Sequence, residues 1–119
     1  MVDKRALNSE LGTITNAGVP FGSTVRADMR RYIYKIKTAN QFAGPNQLQF
    51  GHHTLPAVPA AGVTLDYIDH TTHHEMWNDP DELKEDALPI YILPAGTRPW
   101  GMASAAGDIY VYILYEDAP

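Results

Sequence analysis

All five histidines of the chain fall between His52 and His74, first as His52-His53 and then in the run His70-Thr71-Thr72-His73-His74-Glu75. Neutral imidazole and carboxylate are good ligands for zinc, iron or nickel. His70, His73, His74 and Glu75 therefore form a candidate divalent-metal site, with His52 or His53 as a further ligand. On a strand, side chains alternate between faces, so His73 and Glu75 share one face and His70, Thr72, His74 and Met76 the other. Two other readings compete with the metal. The histidines could sit in a polar loop or interface and bond to backbone, or one per subunit could meet on an oligomer axis. Imidazoles titrate near neutrality, so in the last case assembly would depend on pH.

Other chemistry finds little support. Cysteine is absent, which removes disulfides, thiolate metal sites and a cysteine nucleophile. Ser9, Ser23 and Ser104 lie outside any Gly-x-Ser-x-Gly context, and Gly96 and Gly101 precede no helical pattern that could cradle phosphate. The acid pairs Asp66/Asp69 and Asp79/Asp81 read as loop and cap residues. Trp77 and Trp100 stand beside turn residues and are the candidate stacking platforms for a sugar, although Trp100 reads better as core. No catalytic residue and no required cofactor follows, and the chain reads as non-enzymatic.

The elements that must position these residues are strands. Ile109–Asp117 alternates Ile109, Val111, Ile113 and Tyr115 against Tyr110, Tyr112, Leu114 and Glu116, with both faces largely apolar. It is expected in the middle of a sandwich or barrel, or against another subunit. Arg30–Thr38 puts Tyr32, Tyr34 and Ile36 on one face and Arg31, Ile33, Lys35 and Lys37 on the other. Gln47–Phe50, Val63–Asp69 (Val63, Leu65 and Tyr67 on one side), Leu88–Leu93 and Arg98–Ala103 are further strands. His52–Gly62 holds too many prolines for a central strand and is expected as an exposed connection. Asn78–Leu88 carries a helix signal: Asp79 as N-cap, Pro80 at the first helical position, Glu82 at capping-box spacing, and Pro89 as terminator. The expectation is an all-β, single-domain antiparallel β-sandwich or jelly-roll-like barrel, with one short acidic helix near 79–88. Residues 1–23 are expected as an extended N-terminal arm and 24–119 as the β domain.

Composition bounds the function class. With 119 residues, 45% hydrophobic and 19% charged, the chain is sized for one domain with a true core, and nine prolines and nine glycines imply frequent turns. A net charge of −5 argues against neutralising nucleic-acid phosphates. The clustered cations Arg26, Arg30, Arg31, Lys35 and Lys37 read as a solvated strand face. The first twelve residues show no apolar signal-peptide core, and no run reaches membrane-spanning length.

Two resemblances add expectations. The His73–Glu75 spacing resembles, distantly, the paired ligands of cupin barrels, with the Pro94-Ala95-Gly96 turn present but no histidine following it. The run from Ile92 to Glu116 is similar in style to the ends of small β-sandwich virion proteins of tailed phages and related viruses, of the capsid decoration (cement) type. Its parts are the Pro94-Ala95-Gly96 turn, the strand Arg98–Ala103, the turn Ser104–Asp108 and the aromatic-rich strand Ile109–Glu116. That resemblance implies a structural protein located in a virion and assembled in the host cytoplasm. It would contact copies of itself, as a homotrimer, and a capsid or scaffold protein. Exposed apolar residues mark such contacts, and the candidates are Leu55, Pro56, Val58, Pro59, Phe21 and Trp77. A small metal-binding cupin-like barrel is the alternative, and a carbohydrate-binding module resting on Trp77, Trp100 and the tyrosines is a third.

Overall fold

A computed structural model describes residues 7–72, 76–79 and 88–119, with residues 76–79 described by their backbone alone. These residues form nine strands: β1 (Asn8–Ile14), β2 (Val19–Pro20), β3 (Arg30–Asn40), β4 (Asn46–His53), β5 (Val63–His70), β6 (Met76–Asp79), β7 (Tyr91–Leu93), β8 (Arg98–Ala103) and β9 (Ile109–Ala118). They build two antiparallel sheets. One has the order β1-β9-β3-β6, with β7 also paired to β3, and the other has the order β2-β8-β4-β5. The chain behaves as one long antiparallel hairpin with its tip at β4–β5: β1 pairs β9, β2 pairs β8, β3 pairs β6 and β4 pairs β5. Rolling that hairpin up lets β9 bond β3 and β8 bond β4, which is the jelly-roll arrangement. The slab measures 41 × 37 × 17 Å, as two sheets stacked about 10 Å apart require.

The core follows from period-two alternation. Ile109, Val111, Ile113 and Tyr115 point inward from β9 and meet Leu48 and Phe50 of β4, Ile68 of β5, and Ile33 and Ile36 of β3. The other face of β9 is not fully covered, since Tyr110 is 48% exposed. The strand is central within its sheet and buried on one side.

β3 departs from simple alternation. Its register against β9 slips between Ile33 and Lys35, so Tyr34 is an extra residue, a β-bulge. The slip turns Arg31 and Ile33 inward ahead of it and Ile36, Thr38 and Asn40 inward after it. Ile33 and Ile36, read from the sequence as lying on opposite faces, thus both reach the core. Arg31 is buried as well. Its guanidinium bonds both carboxylate oxygens of Asp117 (2.8 and 2.9 Å), the Ser23 carbonyl and the Ser23 hydroxyl, and it stacks 4.1 Å over the Tyr115 ring.

The structure also bears on two further expectations. Residues 8–20, taken for part of an extended arm, supply β1 and β2, and Ile14 is fully buried between the sheets. The acidic helix near 79–88 falls on residues 80–87, outside those described. Asp79, cast as its N-cap, closes β6 opposite Ile36, and the described residues contain no helix.

Candidate functional site

The histidines divide according to their strand positions. His70 closes β5 on its inward side, 1% exposed, and its Nε2 lies 2.8 Å from Thr38 Oγ1 on the opposite sheet. His53 closes β4 and is buried; its Nε2 lies 2.9 Å from the Val58 carbonyl. Neighbouring His52 is half-buried, and loss of solvent around the ring lowers its pKa from the ordinary 6.5. Among the described residues no group of three or more histidine, aspartate or glutamate side chains stands together to hold a metal. His73, His74 and Glu75, the remaining proposed ligands, lie outside the described residues.

Apolar side chains of the described residues pack between the sheets. Ile14, Ile33, Ile36, Leu48, Phe50, Ile109, Val111 and Ile113 are all fully buried there. At the edge, Tyr91 of β7 tilts onto Phe50 with ring centroids 5.1 Å apart and donates its hydroxyl to Asp66 of β5 at 2.6 Å. At the end holding the 41–45 and 104–108 turns, Asn46 donates to Gly107 O and accepts from Ala105 N, while Asn40 donates to Gly44 O and Thr72 O. Beside them, Pro45, Gln47, Asp69, His70, Thr71 and Ser104 line an open hollow.

The proposed interface residues separate into two groups. Leu55 and Val58 are 65% and 66% exposed, and Pro56 and Pro59 are exposed beside them on the loop between β4 and β5. Phe21, by contrast, is a core residue, 5% exposed; its ring lies against Gly12, where an added Cβ would fall 2.7 Å from it. Trp77 stands opposite Thr38 in the β6–β3 register, and its side chain lies outside the described residues. Trp100 is no open platform either. The 54–62 loop folds over it, its indole donates to the Pro59 carbonyl at 2.6 Å, and Gly62 packs against the ring. The indole is 1% exposed.

Around that loop lies apolar surface that alternation alone did not locate. Val63, Leu65 and Tyr67 of β5 are 54%, 41% and 58% exposed, while Asp66, Ile68 and His70 take the inward side of the strand. On the outer face of the other sheet, Leu11, Tyr110 and Tyr112 line an apolar concavity of about 170 Å³ with Lys37. A period-two pattern shows which residues share a face but not which face turns inward. Here the polar members of β5 find partners on its inward side, Asp66 with Tyr91 at the edge and His70 with Thr38 in the interior.

No family model matches the chain, and no match is found among curated proteins or solved structures.

Proposed function

We propose that this protein is a non-enzymatic structural component of a virion or another symmetric assembly, a capsid decoration or accessory protein that works by making contacts with copies of itself and with a capsid or scaffold protein. The observation that carries this reading is where the apolar surface lies. Between the sheets the described residues bury Ile14, Ile33, Ile36, Leu48, Phe50, Ile109, Val111 and Ile113 completely. Meanwhile Leu55, Val58, Val63, Leu65, Tyr67 and Leu11 face outward at 41% exposure or more. Exposed apolar groups in such number are characteristic of protein contacts. The jelly roll is shared by viral capsid domains, lectins and cupins, so the fold favours none of the three by itself. The buried Trp100 weighs against the sugar-binding alternative.

Light scattering on protein eluting from gel filtration, together with elemental analysis of untagged protein, tests the reading. The expected result is a mass that is a multiple of 13.2 kDa, three-fold for a trimer, with no stoichiometric metal. A monomer carrying one zinc or iron, lost on His73→Ala/His74→Ala, would overturn it.

A further inference from the structure

Resting on that self-associating reading, we propose that copies of this chain join head to tail, the 54–62 loop of one seating in the Leu11/Tyr110/Tyr112 concavity of the next. The loop is built as a knob. Residues 54–61 are all exposed, and nothing from Thr54 to Leu65 carries a charge. It is also held in shape: Trp100 Nε1 donates to Pro59 O, His53 Nε2 meets Val58 O, and turn bonds close from Ala57 N to Thr54 O and from Ala61 N to Val58 O. A loop already fixed loses little freedom when it docks.

The concavity is the matching part. It opens on the outer face of the β1-β9-β3 sheet, where Tyr112 stands opposite both Leu11 and Lys37, and Tyr110 stands opposite Ala39. Small Ala39 beside two tyrosines leaves a hollow of about 170 Å³, lined by Leu11, Tyr110, Tyr112 and the Lys37 stem, with room for an aliphatic side chain.

Charge selects which faces meet. The concavity face carries Arg30, Lys35 and Lys37 against Glu116, so two such faces repel. The face beside the knob carries Asp69 of β5 and the half-buried Arg98 of β8, with no cluster of like charge. Knob face on concavity face therefore avoids that repulsion. Faces of 41 × 37 Å leave room for the roughly 800 Å² per partner that a stable contact buries. Such a contact joins different surfaces, so it closes into a ring or continues as a filament according to the rotation per step.

Complementation of two variants tests it. Leu55→Asp/Val58→Asp spoils the knob, and Leu11→Arg, at a site 73% exposed, spoils the concavity. Each variant alone is expected to run as a monomer, with self-association weakened roughly tenfold or more. An equimolar mixture is expected to give a heterodimer and nothing larger, because only one intact knob meets one intact concavity. Melting temperatures are read alongside, and Tyr110→Asp replaces Leu11→Arg if the latter unfolds. A mixture that stays monomeric, or a single variant that keeps the wild-type mass, overturns the head-to-tail contact while leaving an assembling protein. A wild type that is monomeric at every concentration removes both.

Discussion

Thr38 Oγ1 and His70 Nε2 meet 2.8 Å apart across the interior, one from each sheet. Both residues are 1% exposed or less. With Asp66–Tyr91 at the edge, this contact bridges the two layers by hydrogen bonds beside an otherwise apolar core. Thr38→Val keeps the shape of the side chain and removes the hydroxyl, which leaves His70 Nε2 buried without this partner. The cost is expected at about 1–3 kcal/mol of unfolding free energy, read from urea melts with unchanged slope. A loss below a few tenths would mean that the bridge adds nothing net.

The same pair shows what could be read in advance and what could not. Alternation placed Ile109, Val111, Ile113 and Tyr115 of β9 on one face, and they are the buried face. The strands and the sandwich were legible because apolar residues repeat with the period of a pleated sheet. The Tyr34 bulge was not, since one extra residue in a ladder leaves no mark on composition and shows only when β9 is laid beside β3. Nor was the inward turn of Asp66 and His70. A polar residue goes inside only where a partner waits, and Tyr91 and Thr38 are distant in sequence. The exposed loop 54–61 was legible from its prolines. Its partner Trp100 and the concavity at Leu11 depend on which strands become neighbours.

Arg31 offers a second test. Its guanidinium is 1% exposed and its charge is answered by the Asp117 carboxylate, a side chain still 24% exposed. Removing the carboxylate with Asp117→Ala leaves the buried cation to Ser23 and the Tyr115 ring alone. A loss of about 3 kcal/mol is expected, and it should persist at high salt because a buried pair is poorly screened. Asp117→Asn keeps one acceptor and should lose less. Equal losses for the two variants would show that packing, rather than charge, sets the cost.

Gly62 reports on the loop. A Cβ built at this position would fall 2.1 Å from the Trp100 ring, too close to be absorbed without movement. Gly62→Ala is therefore expected to lift the 54–62 loop and wet the indole. The readouts are a red-shifted tryptophan emission and faster proteolysis within the loop, with about 1–3 kcal/mol of destabilisation. Unchanged emission would mean that the loop does not shield Trp100 in solution.

His52 sets a direction for acid. Burial lowers its pKa below 6.5, so the folded chain binds its proton less readily than the unfolded chain does. Folding therefore releases protons in the window below 6.5, and stability rises with pH there. Above that window both states hold the neutral ring and the contribution is complete. As pH falls from 6.5 toward the lowered folded value, the unfolded state takes up the proton first and stability declines. Thermal melts between pH 7 and 5 should show this decline, and His52→Gln, which cannot titrate, should flatten part of it. Melting curves for the variant that fall as steeply as those of the wild type would assign the acid sensitivity to other groups.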